Sequence, residues 1–395
     1  MKVAFITPMI VSNPVGGLQI RFHQIQRVLE RITSGELIIW DIGDQKPIDL
    51  SSPTLLDRGH TEPQAFPPSN GVIGILHDIA TLVLHTWPFF VAQSLIGQRD
   101  RILAWINEEQ PTHVVVVHPY ATELVPDLRR RNIRVFVDCH NVESDLAQQL
   151  TSLIPLGPEK LHALVLRRVF EQREKRYLPI ANEVWVPSEI NAQRLRKICH
   201  GNVLARCVSN AVDITQYHAY RNDITHDIVF PAEFGYRPNA LGAEILCQRV
   251  LPIVREAIPD SRLVLVGRDQ KGWAKALQHE PDVHVTGEVP DTRSYLYQAG
   301  VIPVPILQGS GTRFKILEAL ALELPVVTTP LGCEGLDVQD GEHLLIREID
   351  EFASAIISIL LNPSSGRILG HNGRNLIESR YSLEIIEDVV REALI

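Results

Sequence analysis

Cysteine is scarce in this chain of 395 residues, and its distribution excludes a disulfide framework. The five cysteines are an odd number at scattered positions, and no Cys-x-x-Cys pair occurs. The nearest approach to a metal-ligand cluster is Cys199-His200 with Cys207, which we interpret as buried small residues. The sequence therefore disfavours both a disulfide-rich secreted domain and a zinc module, and we expect no metal and no cofactor.

Long apolar runs and excess positive charge are also missing. No apolar run reaches the ~20 residues that span a bilayer. The apolar start, residues 1–10, is short and lacks a small-residue cleavage pattern, so it is typical of a first strand and not of a signal peptide. A net charge of −9 disfavours nucleic acid as a partner. These features predict a cytoplasmic protein, and its length predicts two domains.

The most informative stretch is Val301–Thr329, whose pattern is strand, glycine loop, helix, strand. Residues 301–307 are short and apolar, as in a buried parallel strand. Gly309-Ser310-Gly311-Thr312 then opens a helix that ends before Leu324-Pro325, and residues 326–329 begin the next strand. Apolar residues recur at helical spacing in between: Phe314, Ile316, Leu317, Leu320 and Ala321.

A glycine loop at the start of a helix is suited to binding an anion. Its backbone N–H groups are unpaired, the helix dipole favours negative charge, and Gly309 and Gly311 allow close approach. Arg313 and Lys315 add positive charge within one turn, and Glu318 can accept hydrogen bonds from ribose hydroxyls. This combination favours a nucleoside diphosphate over a single phosphate.

From spacing alone, an ordinary interpretation is equally good. Gly-Ser-Gly is a common turn, and Arg313, Lys315 and Glu318 can form a solvated helix face with ordinary side-chain pairing. The dinucleotide fingerprint is not met, because Phe314 stands where its third glycine would be.

The residues Gly309-Ser-Gly-Thr-Arg-Phe-Lys-Ile-Leu-Glu-Ala-Leu-Ala321, followed by Leu-Pro-Val-Val-Thr-Thr329, resemble the donor-site signature of the group 1 glycosyltransferases of family 4. The resemblance implies retaining, metal-independent enzymes of the GT-B fold that use nucleotide-diphosphate sugars. The chain also lacks Asp-x-Asp, the metal-binding motif of the other large glycosyltransferase class. Many members carry a Glu-x7-Glu pair; Glu318 matches the second Glu, but Ser310 replaces the first.

Two further site regions lie in the first half. In the resembling family, a loop like that containing Gly16 and Gly17 faces the donor phosphates and the acceptor; a plain turn is the alternative. His140 follows the predicted strand of residues 133–138, at the edge where open α/β sheets bind ligands. Family members often have a histidine here that faces the donor sugar. The alternative is a structural histidine whose hydrogen bonds are made within its own loop.

In the second half the resemblance points to Arg237 and Val289. A basic residue in the loop containing Arg237 binds the diphosphate in many members, although a surface arginine beside a proline turn would look the same. Backbone near Val289 holds the nucleobase in the family. Residues 208–213 resemble the family's interdomain strand and hinge, with Ala211 in place of the usual glycine.

The predicted fold is α/β of the GT-B type, with two Rossmann-like, doubly wound domains facing across a cleft. Residues 1–212 would form the acceptor domain and residues 213–375 the nucleotide-sugar domain. Residues 376–395 would form a helix that crosses back onto the first domain.

The predicted function is sugar transfer from a nucleotide-diphosphate sugar to a glycan, lipid-linked or small-molecule acceptor, in surface polysaccharide or glycoconjugate synthesis. His140, Arg313 and Lys315 are the catalytic candidates. Two alternatives remain open: a nucleotide-sugar 2-epimerase of the same fold, and a non-catalytic nucleotide-binding subunit, which the serine at position 310 keeps in consideration. The apolar residues 71–95 form a core segment or a peripheral contact with the inner face of a membrane.

Overall fold

The computed structural model describes residues 1–9, 17–48, 97–153, 156–218, 225–309 and 313–395. The chain divides into two compact units. The first unit comprises Met1–Ser209 with Ile386–Ile395, and the second comprises Asn210–Ile385. The change of unit falls close to the boundary expected after residue 212, and the return to the first unit falls later than the expected residue 376.

The first unit contains, among its described residues, a seven-stranded sheet in the order β3-β2-β1-β4-β5-β6-β7. Neighbouring strands are parallel, except that β3 runs antiparallel to β2 at the sheet edge. The central strands β1 and β4 are buried along their whole length, as expected when both sheet faces are covered. The strands are β1 Val3–Thr7, β2 Leu37–Asp41, β3 Lys46–Ile48, β4 His113–His118, β5 Arg134–Cys139, β6 Glu183–Val186 and β7 Ala205–Cys207.

The helices of the first unit include those that the sequence predicts over residues 20–32, 100–109 and 158–177. Ser188 precedes another predicted helix start, where a serine is a plausible N-cap; its hydroxyl accepts a hydrogen bond from the Asn191 amide at 3.2 Å, which confirms this structural role. These helices are α1 Gly17–Thr33, α2 Arg99–Glu109, α3 Val125–Arg130, α4 Glu143–Leu153, α5 Pro158–Tyr177 and α6 Glu189–Ile198.

A buried ion pair joins α1 to the sheet. The Arg21 guanidinium lies 2.6 Å from the Asp138 carboxylate on β5, and both side chains are at most 2% exposed. The same guanidinium donates a hydrogen bond to the Val208 carbonyl at 2.9 Å. An ion pair that is buried away from water is stable only when its hydrogen bonds are satisfied. Because these bonds require Arg21 to lie beside Asp138 and Val208, they fix the position of α1 on the sheet.

The second unit has two three-stranded parallel sheets, in the orders β10-β9-β8 and β11-β12-β13. A parallel bridge between Ile228 and Val301 joins them, so the carboxyl ends of all these strands share one edge. The strands are β8 Asp227–Pro231, β9 Arg262–Val266, β10 Val283–Gly287, β11 Ile302–Val304, β12 Val326–Thr328 and β13 Leu345–Ile346.

Two predicted elements of the second unit differ in the structure. The strand predicted over residues 301–307 is only β11, because Pro303 and Pro305 cannot donate ladder hydrogen bonds. The sequence also predicts one helix over residues 243–257. In the structure this helix begins earlier and widens into a π-turn at residues 246–250, just before Pro252. Helices of this unit are α7 Arg237–Ile245, α8 Leu251–Ala257, α9 Arg293–Leu296, α10 Phe314–Ala321, α11 Phe352–Leu361 and α12 Pro363–Arg380.

The predicted single helix over residues 376–395 is wrong. It is interrupted between α12 and α13, Leu383–Leu394. At the break, the Val212 amide donates to the Tyr381 carbonyl and the Leu383 amide donates to the Val212 carbonyl. These bonds replace helical ones and therefore turn the chain. The end of α13 is fixed in the first unit, where Arg134 donates to the Leu394 carbonyl at 3.1 Å.

No single helix within the described ranges is both long and apolar enough to cross a membrane. One pair, Ile349–Leu361 and Pro363–Arg380, meets that requirement of length and composition only when its two parts are taken together, and it is bent by 101°. The apolar residues 71–95 lie outside the described residues.

Candidate functional site

Several of the predicted donor-site residues, namely Arg237, Val289, Gly309 and Glu318, lie on loops and helices that follow strands of the second unit. The loops after β8, β9, β10 and β11 all leave the sheet at its carboxyl edge. In open parallel sheets, ligands bind at this edge, because helix N-termini and loop side chains converge there.

Gly309 occupies a backbone position that favours glycine. Its φ is +101°, and a Cβ added there would lie 2.6 Å from the Tyr236 hydroxyl. Arg313, at the start of α10, donates from Nη2 to the Gly309 carbonyl at 2.8 Å. Ser310, Gly311 and Thr312 lie outside the described residues, so the role of their backbone N–H groups stays a prediction.

Lys315 points from the first turn of α10 toward the end of β8. Its ammonium lies 4.3 Å from the centre of the Phe230 ring and 3.1 Å from Asn239 Oδ1. Burial, together with the positive charge of the nearby Arg313, lowers the pKa of Lys315 to about 7, while Glu318 opposes this shift. A cation held beside an aromatic face with few hydrogen bonds is ready to bind an anion.

This lowered pKa predicts how the binding of an anionic diphosphate depends on pH. Below pH 7 the Lys315 ammonium is protonated and affinity is at its maximum. Above that pH, binding must take up a proton, so we expect affinity to fall by about tenfold per pH unit. Calorimetry with UDP above about pH 7, where its terminal phosphate is largely ionised, measures this slope.

The matched control for this titration is Lys315→Arg, which keeps its charge throughout the range. Its affinity should show no such slope. A flat profile for the unmodified protein would contradict the assignment of Lys315 to the anion site.

Glu318 lies one turn beyond Lys315 and is half-buried. The Tyr217 hydroxyl donates to Glu318 Oε1 at 2.8 Å. Burial raises the pKa of Glu318, while the Tyr217 hydrogen bond and the positive charges of Arg293 and Lys315 oppose this shift. A carboxylate at this position, beside two cations, is suited to accept hydrogen bonds from a ribose.

Arg237 and Val289 lie at the same edge, but their predicted contacts remain predictions. Arg237 begins α7, pairs with Glu244 at 2.7 Å and lies over the Trp273 ring at 5.5 Å. Its charge is therefore engaged within its own helix. Val289 is half-buried in the turn after β10, where Gly287 has a φ of +70°.

Sequence reasoning missed a polar network that positions Lys315. Asn239 accepts from Lys315 through Oδ1 and donates through Nδ2 to the Glu233 carbonyl at 2.8 Å. The Glu233 carboxylate accepts from Arg268 at 2.6 Å and from the Gly235 amide at 3.1 Å. One feature of the sequence could have indicated this network: Glu233 and Asn239 come shortly after the end of β8, and Arg268 comes shortly after the end of β9.

His140 lies in the first unit, immediately after β5. Its Nε2 is 3.2 Å from Glu143 Oε1, and its ring meets Phe22 edge-on at 5.9 Å. Its buried Nδ1 has no hydrogen-bond partner within the described structure. Gly17 is exposed at the start of α1, and Gly16 is outside the described residues.

The chemistry of the second unit's edge fits an anion. Within the described parts of the chain, no group of three or more His, Cys, Asp or Glu side chains is arranged to hold a metal ion. Cys199 is buried, and burial raises its pKa to about 12. Arg313 and Lys315 add positive charge at this edge that can neutralise a phosphate.

Comparison with known proteins agrees with this geometry. Residues 225–362 match the family described as "Glycosyl transferases group 1". The chain is 32% identical over 114 residues to the capsular polysaccharide biosynthesis glycosyltransferase CapM of Staphylococcus aureus. The aligned residues make up 28% of this chain and 30% of CapM. The chain spans less than half the length of the curated relatives it matches.

Solved structures match over the whole chain. Sucrose-phosphate synthase of Thermosynechococcus elongatus has a TM-score of 0.69 at 17% identity, covering 100% of this chain and 98% of that one. HepE of Anabaena, in complex with UDP-glucose, has a TM-score of 0.65 at 16% identity, covering 100% and 99%. The chain therefore has the GT-B fold, as the sequence predicted.

Proposed function

We propose that this protein is a glycosyltransferase that moves a sugar from a nucleotide-diphosphate sugar to a polysaccharide-type acceptor. The observation that carries this proposal is the placement of Arg313, Lys315 and Glu318 at the carboxyl edge of the second unit's sheet. All three lie within the residues that match the group 1 glycosyltransferases. The two cations would bind the diphosphate of the donor, and the carboxylate one turn later would accept hydrogen bonds from its ribose.

The positive side chains would act on the leaving group. When the bond between the sugar's anomeric carbon and the phosphate oxygen breaks, the electron pair stays on that oxygen and negative charge grows on the diphosphate. Lys315 and Arg313 would stabilise this charge without a metal ion, because they are held in place before the reaction begins.

We propose a retaining reaction, as the family resemblance implies. The acceptor oxygen would bond to the anomeric carbon on the face that the phosphate leaves, and the acceptor proton would pass to the departing phosphate oxygen. No side-chain base is then required. His140 would orient the donor sugar, and the first unit would carry the acceptor.

The relatives suggest which ligands to try first. HepE was crystallised with UDP-glucose, so UDP-sugars are the first donors to test. The name of CapM refers to capsular polysaccharide biosynthesis, so growing polysaccharide or its lipid-linked precursor is the first acceptor class. We also propose that the protein acts on a precursor in the cytoplasm and contacts the membrane peripherally.

Thermal-shift and hydrolysis assays of the purified protein with a panel of nucleotide-diphosphate sugars test the proposal. Stabilisation with slow release of nucleotide from one sugar supports a transferase. Stabilisation without release, even when acceptors are added, would favour a non-catalytic binding subunit. If the sugar is altered at carbon 2 when no acceptor is present, an epimerase is favoured. If no nucleotide sugar stabilises the protein, the assignment of a donor site is contradicted.

The role of His140 gives a separate prediction. His140→Ala should lower kcat by about 10- to 100-fold, because the donor sugar loses an orienting contact. The Kd for UDP should stay within about twofold, because the nucleotide is assigned to the second unit. Initial rates together with calorimetry measure both, with His279→Ala, an exposed histidine, as the matched control. An unchanged kcat would leave His140 as a structural residue.

A further inference from the structure

Tyr217 lies on the segment that enters the second unit. After Asn210, the chain makes a short turn at residues 214–216. Asp213 caps this turn, since its Oδ1 accepts from the Thr215 hydroxyl at 2.6 Å and its Oδ2 accepts from Gln216 at 3.0 Å. Tyr217 follows directly, so its position is defined by a rigid local structure.

Two arginines hold Tyr217 against the candidate site. Arg374 donates from Nη1 to the Tyr217 carbonyl at 2.6 Å and also to the Ala321 carbonyl at the end of α10. Arg293 donates to the Gln216 carbonyl at 3.0 Å, and its guanidinium lies 5.9 Å from the centre of the Tyr217 ring. The backbone and the ring of Tyr217 are therefore fixed by contacts that do not involve its hydroxyl.

The hydroxyl makes a different contact. It donates a hydrogen bond to Glu318 Oε1 at 2.8 Å. Burial raises the pKa of the Tyr217 hydroxyl, and the neighbouring Glu318 raises it further. The hydroxyl therefore remains protonated and donates, which leaves the second carboxylate oxygen for another donor.

We propose that Tyr217 is a positioning residue that orients the Glu318 carboxylate toward the ribose of the bound nucleotide. This inference rests on the proposed function, and it assigns to the entry segment a part in nucleotide recognition. Without the hydroxyl, Glu318 is attracted to the positive charge of Lys315, one turn earlier on α10. Its carboxylate would then neutralise the phosphate-binding cation instead of accepting from the ribose.

The test is Tyr217→Phe, which removes one oxygen and keeps the ring that Arg293 contacts. We expect the affinity for UDP to fall by about 10- to 100-fold, as for loss of a hydrogen bond to a charged group. The preference for UDP over 2′-deoxy- and 3′-deoxy-UDP should shrink by a similar factor, a change that a merely structural residue would not cause. Calorimetry with these three nucleotides measures both effects.

Two further variants sharpen the test. Tyr295→Phe, at a tyrosine whose hydroxyl has no partner within the described structure, should bind all three nucleotides as the unmodified protein does. In a Glu318→Ala background, Tyr217→Phe should change UDP affinity by less than about twofold, because Tyr217 acts through Glu318. Thermal denaturation of each variant checks that the fold is retained.

The outcomes separate this inference from the proposed function. If the unmodified protein binds none of the nucleotides, the donor site itself is wrong and this inference falls with it. If the unmodified protein prefers UDP over its deoxy analogues and Tyr217→Phe keeps that preference, this inference alone is overturned. Equal losses in the presence and absence of Glu318 would also overturn it.

Discussion

Replacing Lys315 with alanine should lower kcat/KM for sugar transfer by about 100- to 1000-fold, as when a preorganised donor to a developing negative charge is removed. The ammonium lies beside Phe230 and Asn239 and has little water around it. In this setting its attraction to phosphate is screened less than at the surface. The charge on the leaving diphosphate grows as the glycosidic bond breaks, so the loss should appear mainly in kcat.

Steady-state kinetics with the donor identified by screening, together with the Kd for UDP, measure how the effect divides between binding and catalysis. The matched control is Lys271→Ala, because Lys271 is an exposed lysine of the same unit. A loss of less than about threefold in kcat/KM would contradict the proposed role of Lys315 and, with it, the phosphate site at α10.

Removing the Asp138 carboxylate should destabilise the first unit by about 3–5 kcal/mol, the range seen when one partner of a buried ion pair is deleted. Asp138 accepts from Arg21 at 2.6 Å, and both side chains are buried. In Asp138→Ala, the guanidinium of Arg21 would remain away from water but would lose this carboxylate. Urea denaturation followed by the fluorescence of Trp185, which is buried in the same unit, measures the change.

A double replacement separates lost charge pairing from lost packing. Arg21→Met with Asp138→Ala removes both charges, so it should be more stable than Asp138→Ala alone. The control is Arg31→Ala, which breaks the exposed pair with Glu387 at 3.4 Å and should cost less than about 1 kcal/mol. If Asp138→Ala cost no more than this control, the ion pair would not hold α1 on the sheet.

Elements with a strong local pattern were predicted well. The sequence predicts strands over residues 113–118 and 262–266 and a helix over residues 158–177, and the structure has all three with these bounds. In the two strands, the apolar runs match their burial within the sheet. The alternation of strands and helices predicted parallel sheets, and the GT-B fold that the family resemblance implied is also confirmed.

The elements that differ from the prediction are those whose ends depend on distant backbone groups. The terminal helix is broken because the Tyr381 carbonyl and the Leu383 amide bond to Val212, far away in the sequence. No pattern near residue 381 reveals that partner. The π-turn at residues 246–250 had a local cause in Pro252, but its extent depends on the packing of α7 and α8.

Four of the residues assigned to the candidate site lie close together in the sequence. Gly309, Arg313, Lys315 and Glu318 lie within a single loop and two helical turns, so the sequence predicts that they share one site. Spacing alone allows a solvated helix face equally well, and the family resemblance is what favours an anion site beside a ribose-binding carboxylate. How these groups are held was decided by the tertiary structure: Asn239 reaches Lys315, and Tyr217 reaches Glu318, across long separations in sequence. Such contacts depend on how strands and helices pack, which no local pattern specifies.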